Sequence, residues 1–188
     1  AAAAVVHMSA PPTHRAAPAC AAAPLPDRLV VGYCNWAQAD EAVVQAVRRG
    51  VNVVMWFAVD LGTDARTGEA AVQQQPGPDM HHVHAIMKQI AEEGLQCTHL
   101  ISIGGWNAPH PHTAHSAQET FDALHRWNMG LPFGGFAGFD WDIEGHDAPE
   151  SPTSTMSPQA LQLMGGVSQL AKAAGYVVAM APAQSYLD

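Results

Sequence analysis

The stretch FAGFDWDIEG, residues 136 to 145, places a carboxylate at every second position: Asp140, Asp142 and Glu144. In an extended strand successive side chains point to opposite faces, so these three share one face while Phe139, Trp141 and Ile143 share the other. Three carboxylates on the buried face of a central strand are costly. Lost hydration and mutual repulsion both disfavour ionisation, so at least one should hold a proton near neutral pH. A carboxyl group that keeps its proton above the ordinary range is what a general acid needs, and Glu144 lies at the strand's C-terminal end. Two other chemistries compete for the same residues. An edge strand could turn its acidic side to water, although a central parallel strand is covered on both faces. A DxDxE row could also present oxygen ligands to Mg²⁺, but no Gly-rich phosphate loop and no nearby Lys or Arg accompany it.

The elements that must position this row can be read from periodicity. The run LVVGYCNW at 29 to 36 has β character, and Asp40 is a good N-cap for a helix carrying Val43, Val44 and Val47 and ending at Gly50. VNVVMWFAV at 51 to 59 predicts a second strand, followed by a Gly-, Thr-, Gln- and Pro-rich loop to Asp79. Met80, Val83, Ile86, Met87 and Ile90 recur at helical spacing up to Gly94. THLISIGG at 98 to 105 predicts the third strand. Ser116 and Glu119 then form a capping box ahead of Phe121, Leu124 and Trp127. The carboxylate strand is the fourth. Ser157 and Pro158 open another helix, with Leu161, Met164, Val167 and Leu170 on its apolar face, and YVVAMAP at 176 to 182 is the fifth strand. Strands alternating with amphipathic helices predict an α/β fold with a parallel sheet. Periodicity does not choose between a doubly wound sheet and a (β/α)₈ TIM barrel. The absence of a GxGxxG or GxxxxGK[ST] loop after any strand favours the barrel.

Composition narrows the partners. The 188 residues carry 8 Lys plus Arg against 17 Asp plus Glu, a net charge of −9 that disfavours nucleic acid and anionic membranes and suits a neutral substrate. No apolar run approaches the length that spans a bilayer. Cys20, Cys34 and Cys97 are odd in number and unrelated in spacing, so neither a disulfide framework nor a zinc site is indicated. The histidine groups His81, His82, His84 and His110, His112, His115 invite a metal, but no Cys or Asp completes either set, and no metal or other cofactor is expected. Residues 1 to 27 are Ala- and Pro-rich and read as a disordered tail or linker, leaving 28 to 188 as the folded domain. The chain opens at Ala1 without an initiator methionine, as a processed chain or one cut from a longer frame would; a secreted protein that has lost its signal is one such case.

Two of these strands together resemble family 18 glycoside hydrolases, the chitinase family. That family carries DGxDxDxE on its fourth barrel strand, where Ala137 to Glu144 read AGFDWDIE here, and SxGG on its third, where Ser102 to Gly105 read SIGG. Tyr33 after Gly32, and MAPAQ at 180 to 184, are further points of similarity. The resemblance implies endo-acting hydrolysis of β-1,4-linked N-acetylglucosamine polymers by a substrate-assisted retaining mechanism, a known exception to the two-carboxylate scheme. Glu144 would act as general acid and base, Asp142 would hold the substrate's acetamido group, and Asp140 would share a proton with Asp142. Tyr33, Ser102, Gly104, Gly105, Trp106, Met180 and Gln184 would line the substrate site, with Trp106 able to stack on a sugar face. A chitinase-like lectin that binds without turnover, and an endo-β-N-acetylglucosaminidase acting on protein-linked glycans, would share the same motifs. One family position departs: the first Asp is Ala137. Five strands, against the eight of a full barrel, also predict a truncated domain that is marginal alone, with open edges and an incomplete pocket.

Overall fold

The computed structural model describes residues 25–35, 41–74, 77–106, 108–144 and 156–182. In chain order the elements are β1 (Val31–Asn35), α1 (Glu41–Arg48), β2 (Val53–Thr63), β3 (Ala70–Gln73), α2 (Met80–Glu92), β4 (Thr98–Gly105), α3 (Ala117–Met129), β5 (Gly138–Ile143), α4 (Pro158–Ala173) and β6 (Val177–Met180). The result is a mixed α/β fold with a mostly parallel six-stranded sheet. The five strands expected from periodicity pair in parallel in the order β1-β2-β4-β5-β6, each crossover carrying a helix. Asp79, Ser116 and Ser157 cap their helices as expected. The Ser116–Glu119 capping box is closed in both directions. The Asp40 cap lies outside the described residues.

The segment between Val59 and Asp79, expected as a loop, holds an element. β2 runs on to Thr63, turns, and returns as the antiparallel strand β3, pairing Asp60 with Gln73 and Thr63 with Ala70. The turn is held by Asp64, whose Oδ1 accepts from the backbone N–H groups of Arg66 at 2.8 Å and Thr67 at 2.9 Å, while Gly68 supplies a φ of 73°. Asp followed four residues later by Gly is a turn signal. The short flanking strands, diluted by Gly and Ala, offered too little alternation to expose it.

The sheet's two faces differ in what covers them. Trp56, Ile101, Ile103, Phe139, Trp141 and Ile143 point to the helix side and pack with Val44, Val83, Leu124 and Val167 into the main core. Trp56 and Trp127 both belong to that core, Trp127 stacking on Phe136 with ring centroids 6.3 Å apart. The opposite face holds a thinner cluster of Val53, Met55, Leu100 and Ala137, with Val177 and Ala179 against it. Ala137 is thus packed among apolar side chains at the position where family 18 enzymes carry Asp. Among the described residues no helix is long and apolar enough to cross a membrane.

One buried side chain sets where the carboxylate strand begins. Asn128, at the end of α3, accepts from the N–H of Phe136 at 2.8 Å and donates to the Phe136 carbonyl at 3.0 Å, matching both backbone groups two residues before β5. Its amide also donates to the hydroxyl of Tyr176, just before β6. Asn128→Ala leaves the Phe136 groups buried and unpaired. It should cost about 2–4 kcal/mol, read as a lowered urea midpoint with an unchanged m-value. An unchanged midpoint would show that this bracing contributes nothing.

Candidate active site

The register between β4 and β5 sets Ser102 beside Asp140 and Gly104 beside Asp142. Asp140 is only 1% exposed. The Tyr33 hydroxyl donates to its Oδ2 at 2.9 Å, and Ser102 Oγ approaches the same oxygen at a longer 3.5 Å. Among the described residues Oδ1 of Asp140 is buried with no hydrogen-bond partner. Tyr33 belongs to β1, three inter-strand intervals from β5. On a flat sheet those strands would lie about 14 Å apart, near the limit of what two side chains and a hydrogen bond can span. The contact therefore requires the sheet to curl toward this face, and the carboxylates line its concave side.

Burial here falls on groups that would otherwise ionise. Asp142 is pushed up to about 6, first by burial and then by the negative charges of Glu144 and Asp140. Burial also raises Asp140, opposed by the hydrogen bonds from Tyr33 and Ser102. Tyr33 is raised by burial, by its bond to Asp140 and by the charges of both aspartates, so its phenol stays protonated and remains a donor. Both Asp142 and Asp140 are thus shifted in the direction that favours the protonated form. Asp142, raised by burial and by its acidic neighbours, would be favoured as the anion when a positive charge forms next to it.

Glycine lets β4 approach its neighbours closely beside Asp142. Gly104 has a φ of 104°, and a Cβ there would lie 2.6 Å from the Asp142 carbonyl oxygen. Gly105, at φ 115°, would drive a Cβ to 2.2 Å from the Phe57 ring. Both positions demand a residue without a side chain. Gly138, the second position of the DGxDxDxE pattern, is similarly constrained, since a Cβ would fall 1.8 Å from the Val177 carbonyl oxygen of β6. Beyond Gly105, Trp106 is 75% exposed at the end of β4.

Glu144 follows β5 directly, and its carbonyl oxygen lies 3.0 Å from His110 Nε2. His110 was grouped with His112 and His115 in the sequence, but the structure separates them. His115 and His112 contact the hydroxyl of Thr63, at 2.7 and 3.4 Å, so the loop after β4 is tied to the β2–β3 hairpin at one point and to the carboxylate strand at another. Among the described residues no three His, Cys, Asp or Glu side chains gather as a metal site. The His110 contact had no signature in residue spacing.

The structure brings Tyr33, Ser102, Gly104, Asp140 and Asp142 together, with Glu144, Gly105 and Trp106 at the strand ends beside them. It does not bring Met180. The β5–β6 register sets Ala179 beside Asp140 and Met180 beside Trp141, on the helix-facing side. Met180 thus lies on the face opposite Asp140 and Asp142. Gln184 lies outside the described residues.

A mostly parallel sheet with carboxylates along one strand of its concave face defines the chain as an α/β protein. Among solved structures it is similar to the C-terminal domain of ChiA from Legionella pneumophila, with a TM-score of 0.53 and 14% identity over 82% of this chain. At that identity the likeness is one of fold. The aligned region covers 47% of the Legionella domain, so this chain spans about half its length. No protein-family model matches the chain, and no curated protein matches it.

Proposed function

We propose that the chain carries the acid-bearing half of a family 18-type glycoside hydrolase, acting on β-1,4-linked N-acetylglucosamine chains, and that its five parallel strands form one arc of a (β/α) barrel. The observation that carries this reading is the Asp140–Asp142 pair. The first is buried and capped by Tyr33, the second is pushed up to about 6, and Glu144 stands two residues on at the strand's open end.

In the proposed reaction Glu144 donates its proton to the glycosidic oxygen as the bond from that oxygen to the anomeric carbon breaks. The acetamido oxygen of the same sugar supplies the electron pair that forms the new bond to the anomeric carbon, giving an oxazolinium ion. Asp142, relieved of its proton toward Asp140, accepts a hydrogen bond from the acetamido N–H and faces the positive charge. Glu144, now a carboxylate, takes a proton from water as that water attacks the anomeric carbon and reopens the ring. The acetamido group would lie on the concave face beside Asp142. Trp106, exposed at the strand end, offers an apolar face to a neighbouring sugar. Chromatography of N-acetylated chito-oligosaccharides incubated with the protein should reveal shorter oligomers. Oligomers that stay intact would reject the reading.

A further inference from the structure

β2 contains an irregularity with consequences for this face. Trp56 is level with Ile101 on β4, but Val59 is level with Ile103, so β2 spends three residues where β4 spends two. The extra residue reverses the alternation of β2 from that point. Val59 and Leu61 are 2% and 3% exposed and belong to the main core on the helix side. Asp60, between them, must therefore point to the concave face. One further step along both strands brings Asp60 level with Gly104, which is itself level with Asp142. Gly104 has no side chain. Asp60 and Asp142 thus share the concave face across two inter-strand intervals, about 10 Å apart.

Asp60 is partly buried, and among the described residues its carboxylate makes no hydrogen bond or ion pair. Burial alone holds it above the usual carboxylate range. Among the described residues no cation answers it. The described lysines and arginines lie on or beside helices, before β1, or in the hairpin turn. A carboxylate left unpaired on a face that also carries Asp140, whose Oδ1 is buried without a partner, favours a ligand that brings positive charge.

We propose that Asp60 is a specificity-determining residue that receives the ammonium group of a deacetylated glucosamine unit, at a different subsite from the N-acetylated unit held by Asp142. The preferred substrate is then a partially deacetylated chain. This inference rests on the functional reading above, and the test separates the two.

Calorimetric binding is measured on Glu144→Gln protein with fully N-acetylated oligomers and with oligomers of the same length deacetylated at about half their units. The partially deacetylated ligand should bind tighter. Adding Asp60→Asn should remove about tenfold of affinity for that ligand and leave the fully acetylated one unchanged, a selective loss that shrinks at high salt. Asp60→Glu, which keeps the charge, should retain the preference, and equal melting temperatures would exclude a folding effect. Equal losses on both ligands, or none on either, would overturn the role of Asp60 while leaving the functional reading intact. Failure of either ligand to bind would overturn both.

Discussion

Glu144→Gln is expected to lower turnover of N-acetylated oligosaccharides by about 10³-fold while leaving their binding near that of the parent protein. Gln preserves the size of the side chain and its hydrogen-bonding reach but has no proton to give to the leaving oxygen, and no carboxylate to activate water in the second step. Both chemical steps lose the same group. The backbone should be undisturbed, because the Glu144 contact in the structure is made by its carbonyl oxygen with His110 and does not involve the side chain. A variant that keeps its turnover would remove Glu144 from the mechanism. One that also loses binding would make it a ligand contact.

Asp142→Asn should lower turnover by about 10²-fold and at the same time stabilise the fold near neutral pH. The sign follows from where Asp142 titrates. Its folded value is about 6, above the ordinary carboxylate value of 3.8, so between those two pH values the folded chain binds more protons than the unfolded one. Stability from this group is therefore greatest at low pH and falls as pH rises through about 6. Above that, the wild type carries a partly desolvated charge repelled by Glu144 and Asp140, which the neutral amide lacks. His99 works in the opposite direction. It is buried against Trp56, whose indole N–H donates to its Nδ1 at 3.2 Å, and burial pushes its value down to about 4. Its contribution is fully present above about 6.5 and is lost as pH falls toward 4. In the wild type the two effects partly cancel over the same interval. Removing Asp142 takes away one of the groups that oppose His99, so the variant should melt higher than wild type at pH 7.5 and lose stability more steeply on acidification. Identical melting profiles from pH 4 to 7.5 would contradict the environment described for Asp142.

What could be read in the residues alone was what depends on local order. The alternation of Asp140, Asp142 and Glu144 against Phe139, Trp141 and Ile143 needs only the two-residue period of a strand, and the structure keeps it. Ser116 with Glu119, and Ser157 with Pro158, are caps whose chemistry is complete within a few positions. The features that escaped depend on how strands lie against one another. The hydrogen bond from Tyr33 to Asp140 joins residues 107 apart in the chain and exists because the sheet curls, a property carried by no single segment. The added residue in β2 changes which side Asp60 faces, and it becomes visible only when β2 is laid beside β4. Met180 was assigned by similarity to a strand end, whereas the pairing of β6 on β5 determines its side. The loop histidines looked like one cluster in sequence and serve as separate ties in space.

If Asp142 and the substrate's own acetamido group act together, the reaction passes through two inversions at the anomeric carbon. Proton NMR of the products within the first minutes of hydrolysis, before mutarotation, reads that configuration directly. Newly formed reducing ends should appear as the β-anomer. Initial formation of the α-anomer would show a single displacement by water and contradict that joint action.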